Sequence, residues 1–131
     1  MTSEIMYALR GGPDSLEFMR LLDNFGIWCR YSGCTGFHSS GESETYVLTD
    51  ESALELDKVM SNIKAHHEFG FWLFKEYYIC SRDTVEIAVL MNRYGRKTRD
   101  VAMAHASSKM VDKLLSRLRF TIHNILTEEE K

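Results

Sequence analysis

The chain has 131 residues, 44% of them hydrophobic and 27% charged, with a single proline and a formal net charge of −3. That length and balance predict one globular domain over residues 1–131 and exclude a disordered or collagen-like chain. No stretch reaches the roughly 18 uncharged apolar residues of a membrane span, and the amino terminus lacks the order of a secretory leader, so a soluble, cytoplasmic protein is expected. Three cysteines at irregular spacing make no disulfide framework and point to a reducing compartment.

In chain order, Gly11-Gly12-Pro13 precedes Asp14-x-x-Glu17, a capping-box pattern. Leu16, Met19, Leu22 or Asp23, Phe25 or Gly26, and Trp28 or Cys29 follow at steps of three and four, which predicts an amphipathic helix ending near Arg30. Residues 31–48 are rich in Gly, Ser and Thr and read as a loop, in which only Thr45-Tyr46-Val47-Leu48 suits a short strand. Thr49 or Asp50 is placed to cap a second helix with Ala53, Leu56, Val59 or Met60, and Ile63 on one face, running to about Ala65.

Between Phe69 and Cys80 the chain is apolar around nearly the whole helical circumference, as a central buried helix would be. Glu76 and the helical period favour core over an exposed stacking platform for these aromatic rings. Asp83-x-x-Glu86 repeats the capping-box pattern, and Val85, Ala88, Val89 and Leu90 predict a short helix that stops around residues 92–95. A further helix is expected to begin near Thr98, break at His105-Ala106-Ser107, and resume from Ser108 to Leu118. Two helices joined by about three residues follow the helix-turn-helix plan, giving an all-α chain of about five helices.

That plan assigns roles. Val101, Ala102, Val111, Leu114, Leu115 and Leu118 would hold the pair together, with Ala102 small where the helices cross. Ser107 or Ser108 would cap the second helix, whose first turns would bring Ser108, Lys109, Asp112 and Lys113 to base edges or phosphates. Arg96, Lys97 and Arg99 suit phosphates, and Arg117 continues the same basic series.

Charge is unevenly divided. Residues 1–81 carry six basic and twelve acidic side chains, residues 82–119 nine basic and four acidic, and residues 120–131 one basic and three acidic. An asymmetry of −6 against +5 is what a chain shows when one portion meets a polyanion and the rest does not. The basic half (82–126) would then hold double-stranded DNA and leave the acidic half (14–80) free; together with the family resemblance described next, this makes Glu51, Glu55 and Asp57 on its second helix the candidates for a protein contact.

The segment Leu21-Leu22-Asp23-Asn24-Phe25-Gly26-Ile27-Trp28-Cys29-Arg30 resembles the opening helix of the phage antitermination protein Q family, in which an apolar helix carries an aromatic-glycine-x-tryptophan signature. The acidic second helix, the Tyr77-Tyr78 pair and the stretch from Arg99 to Leu118 resemble that family's later elements in the same order, over about residues 16–120. The resemblance implies a lambdoid-phage late-gene regulator in the bacterial host cell. Such a protein binds DNA beside the late promoter, joins paused host RNA polymerase holoenzyme, and makes it read through terminators. It also implies kinship of the second half with region 4 of bacterial sigma factors.

No catalytic constellation competes with that reading: a glycine-rich phosphate loop, a His-Glu-x-x-His helix and a serine elbow are all absent from the sequence, so no enzyme and no cofactor are expected. Cys29-x4-Cys34-x3-His38 offers three zinc ligands with Cys80, His66 or His67 as a fourth, but structural zinc sites favour closely paired ligands, and no metal is assigned. The alternative from another class is a helical phage interaction module whose basic face is merely solvated.

Overall fold

The computed structural model describes residues 1–32 and 48–130. Seven α-helices and one π-helical turn account for most of them, and there is no strand among the described residues: α1 (Ser3–Leu9), α2 (Leu16–Ser32), α3 (Asp50–His66), α4 (Glu68–Phe74) continuing into the π turn (Lys75–Ile79), α5 (Thr84–Thr98), α6 (Val101–Ala104) and α7 (Ser108–Glu130). The all-α expectation therefore holds. The proposed strand at residues 45–48 lies outside the described residues except for Leu48, which is buried without regular structure.

Most helix starts carry a side-chain cap, α4 being an exception. Thr49 caps α3, its hydroxyl accepting from the Ser52 N–H, and Asp83 with Glu86 forms a complete capping box on α5. On α2, where Asp14 or Ser15 is expected at the start, the cap is Ser15, its hydroxyl accepting from the Phe18 N–H at 3.2 Å, and Asp14 extends toward Arg119 at 3.7 Å in place of a capping box. The buried face of α2 is accordingly Phe18, Leu21, Leu22 and Phe25, while Leu16 stays 58% exposed.

One core joins Ile5 of α1, Phe18, Leu22 and Phe25 of α2, Leu56 and Ile63 of α3, Phe74 of α4, Ile87 and Met91 of α5, and Ile122 and Leu126 of α7. The apolar 69–80 segment enters it only in part. Leu73, Phe74 and Tyr78 are buried, whereas Phe69 is exposed and stacks, at 5.7 Å, on Trp72, which is half-buried against the core. The π turn marks the change of course, with the Cys80 N–H reaching back to the Lys75 carbonyl and placing Tyr78 against Phe74.

Helix α1 was not anticipated, because seven residues hold barely two turns of hydrophobic period. Its anchoring is polar as well as apolar. The Glu4 carboxylate accepts from the Thr49 N–H and hydroxyl and from the hydroxyl of fully buried Ser52, tying α1 to the start of α3. Burial pushes the Glu4 pKa up, but the hydrogen bonds from Ser52 and Thr49 outweigh it, and the net shift is downward from 4.5. A depressed carboxylate stabilises the folded state above its unfolded pKa and loses that contribution as pH falls through the folded value. Chemical denaturation of wild type and Glu4→Gln should therefore differ most near neutral pH and converge on acidification below 4.5; a gap that stays constant to low pH would refute this role.

A candidate nucleic-acid interface on α5, α6 and α7

The basic region 82–119 is built around a sharp reversal between α5 and α6. Helix α5 runs to Thr98, past the expected stop at residues 92–95, because the Arg99 and Asp100 N–H groups close back on the Gly95 carbonyl. Arg99 adopts the left-handed conformation, φ 63° and ψ 32°, at a cost of about 1 kcal/mol for an L-residue with a Cβ. The conformation that usually selects glycine thus sits at the α5–α6 turn, while His105 after α6 has φ −117° and calls for none. Asp100 then caps the single turn of α6 by accepting from the Met103 N–H at 3.2 Å.

Gly95 makes this reversal possible. A Cβ there would lie 2.2 Å from the Ala104 backbone nitrogen and 2.6 Å from the Met103 carbonyl carbon, so the α5 and α6 backbones are in direct contact. Gly95 takes the role expected of Ala102, which is exposed, as is Val101 at 72%. The joint is instead sealed by half-buried Met103 and Ala104 and by buried Ala106. On α7, Val111, Leu115 and Leu118 are buried as expected and Leu114 is half-buried.

Ser107 caps α7, its hydroxyl accepting from the Met110 N–H at 3.2 Å, while Ser108 is the first helical residue. The first turn of α7 contains no acidic residue, so its free N–H groups keep their affinity for an anion. Along α7 the side chains fall into adjoining sectors. Taking 100° per residue, Lys109, Lys113 and Arg117 share one exposed side, Met110, Leu114 and Thr121 the next, and Val111, Leu115, Leu118 and Ile122 the core. Lys109, Lys113 and Arg117 are spaced at i, i+4 and i+8, a ladder about 12 Å long.

Of the nine basic residues in 82–119, two are engaged internally. Arg82 pairs with Glu76 at 2.7 Å, and Arg119, with its side chain only 16% exposed, lies 3.7 Å from Asp14. The other seven, Arg93, Arg96, Lys97, Arg99, Lys109, Lys113 and Arg117, are exposed, and none has a carboxylate within ion-pairing distance among the described residues. Arg93 joins the set predicted at Arg96, Lys97, Arg99, Lys109, Lys113 and Arg117. Exposed Asp112 sits beside the α7 ladder. Tyr94, 57% exposed, and Phe120, 55% exposed, add rings to the same region; their polar neighbours in sequence gave no periodic signal that would have singled them out.

The acidic candidates do not form one face. Glu51 and Glu55, four apart, share a flank of α3, and Glu55 lies 3.6 Å from the amino-terminal ammonium of Met1. Asp57 is about 240° around the helix from Glu51, on the opposite flank, where its charge reaches Cys29. Cys34 and His38 lie outside the described residues. The Cys29 thiol is pushed up to about 12 by burial and then by the Asp57 carboxylate, which makes it a poor thiolate ligand or nucleophile. Among the described residues no group of three His, Cys, Asp or Glu side chains is placed to hold a metal ion, and no helix is long and apolar enough to cross a membrane.

Two further groups lie near Arg119, exposed Asp23 on α2 and buried Tyr78 on the π turn. Desolvation raises the Asp23 pKa more than the Arg119 charge lowers it. Burial likewise takes the Tyr78 phenol to about 12.

No protein-family model, curated protein or solved structure matches this chain.

Proposed function

We propose that the chain is a DNA-binding transcription antiterminator of the phage late-gene type. It binds duplex DNA beside a late promoter through the α5–α6–α7 unit and engages bacterial RNA polymerase holoenzyme to allow read-through of terminators. The observation that carries the DNA-binding half is the set of seven exposed, unpaired cations on that unit, held in fixed relation by the Gly95 contact. Unpaired cations need not be detached from a carboxylate before they meet phosphate, and they release counterions from it when they bind, so they supply affinity without chemistry. In this reading α7 is the helix presented to the major groove, as in helix-turn-helix proteins and in the sigma-factor region that the sequence resembles, with Ser108, Lys109, Asp112 and Lys113 foremost. Arg96, Lys97 and Arg99 then lie on the flanking backbone. An antiterminator acts by binding one conformation of polymerase better than another, which requires surfaces and no active site.

A second reading has its own observation. Helix α6 has four residues, shorter than the first helix of a standard helix-turn-helix unit, and Asp112 interrupts the basic surface of α7. Both features fit an interaction module that contacts a protein and leaves its cations solvated.

Gel-shift titration on a phage late-promoter fragment and on a scrambled fragment of equal length, repeated across salt, separates the two. The antiterminator reading expects tighter binding to the promoter fragment, with affinity falling steeply as salt rises. Equal, weak retention on both fragments at low salt would leave the interaction module as the better account.

A further inference from the structure

An apolar groove of about 600 Å³ lies between α4, α5, α6 and α7, walled by Phe69, Trp72, Met91, Tyr94, Met103, Met110 and Leu114. It is continuous past Phe69 and Leu114 with a second hollow of about 430 Å³ that follows α7 to Thr121. The walls contributed by α7 run from Met110 to Thr121, a length of about 16 Å, or three helical turns. Three of the lining side chains are methionines, which adjust their shape to an incoming apolar surface.

The larger hollow differs in charge from its surroundings, whereas the smaller one is lined by Arg117 and His67 as well as Glu68. The charged lining residues in the larger hollow are Glu68 and Asp100, both exposed and without a cation in ion-pairing distance among the described residues. Around it lie the unpaired cations of α5 and α7. An occupant must therefore bring a long apolar stripe and its own positive charge.

From these features we infer that the groove is a docking site for an amphipathic helix of a partner protein, about three turns long, with bulky apolar residues at i, i+3 or i+4, and i+7 and a Lys or Arg flanking the stripe where it meets Glu68 and Asp100. The elongated, open form suits a helix lying along α7 better than a compact small molecule. Of the basic ladder on α7, Lys109 and Lys113 occupy the adjoining sector and stay uncovered by a docked helix, while Arg117 borders the smaller hollow and would lie beside it. The site thus serves a protein contact whether or not α7 also meets DNA.

Trp72, stacked on Phe69, reports occupancy by its fluorescence. The probe is a hydrocarbon-stapled amphipathic peptide of about four turns, since a free helix of that length is marginal in water, with leucines on one stripe and two lysines at one end. A matched peptide has glutamates in place of the lysines. With Trp28→Phe leaving Trp72 as the one tryptophan, the full chain is expected to bind the lysine peptide saturably with a blue shift of Trp72 emission, and the glutamate peptide at least about tenfold more weakly. The double variant Glu68→Gln with Asp100→Asn keeps the α6 cap, because asparagine also caps, and should erase the preference between the two peptides. Met110→Glu should abolish binding of both while the circular dichroism spectrum is unchanged. Equal binding of the two peptides to wild type, or no binding, would overturn the proposal. So would concentration-dependent self-association that Met110→Glu removes, which would assign the groove to a second copy of the chain.

Discussion

Replacing Gly95 by alanine should lower stability by about 2–4 kcal/mol, even though alanine is ordinarily the better helix former by about 0.8–1 kcal/mol. The reversal of sign comes from the α5–α6 contact. The added methyl would stand 2.2 Å from a backbone nitrogen and 2.6 Å from a backbone carbon, neither of which can rotate away as a side chain does. Gly26→Ala should behave in the same way, its Cβ meeting the Tyr78 carbonyl oxygen at 2.1 Å where α2 crosses the π turn. Gly70 supplies the contrast. It is also helical, but the nearest atoms to its Cβ are side-chain carbons at 3.5 Å and beyond, so Gly70→Ala should hold or raise stability by up to about 1 kcal/mol. Urea denaturation of the three variants checks the pattern through their midpoints. A Gly95→Ala protein as stable as wild type would mean that α6 does not rest on α5, and the cations of the unit would lose their fixed spacing.

These glycines also show what was legible in the sequence. Caps and periods could be read: Thr49, the Asp83–Glu86 box and Ser107 start their helices as expected, and Val111, Leu115 and Leu118 lie inside. Such features are local, set by side chains within four residues of one another. Packing between elements left no local trace. Nothing near Gly95 in sequence says that another backbone passes within van der Waals range, and the series read for α2 began its inward face at Leu16 and Met19, whereas Phe18 and Leu21 are the residues that join Leu22 and Phe25 in the core. The same limit explains Phe69 and Trp72. An apolar stretch reads as core wherever it occurs, and only the course of α4 past α7 reveals that one side of it borders an open groove.

The basic surface was legible for a different reason, since exposed charge needs no partner to be recognised. Its composition was refined by the fold: Arg82 and Arg119 drop out into ion pairs with Glu76 and Asp14, and Arg93 comes in. The acidic half changed more. Glu51 and Glu55 remain together, but Asp57 lies on another flank of α3, so the three proposed contacts do not share one face.

Alanine at Arg96, Lys97, Arg99, Lys109, Lys113 and Arg117 together should reduce the slope of log affinity against log salt by up to about five, at about 0.9 for each phosphate that is no longer neutralised. The effect should be nearly the same on promoter and scrambled fragments, because phosphate contacts position the protein without reading sequence. All six side chains are exposed and outside the core, so folding is expected to survive, with each site contributing within about 0.5 kcal/mol. Terminator read-through should vanish with DNA binding, since an antiterminator that is not held near its promoter meets polymerase only at its bulk concentration. Glu51→Lys tests the other half. It leaves every cation of α5 and α7 in place, so DNA binding should be retained while read-through falls, whereas Asp57→Lys, on the opposite flank, should spare read-through if Glu51 and Glu55 make the polymerase contact. A six-alanine protein with an unchanged salt slope would remove DNA from the proposal, and full read-through by Glu51→Lys on a strong terminator would remove α3 from the polymerase contact.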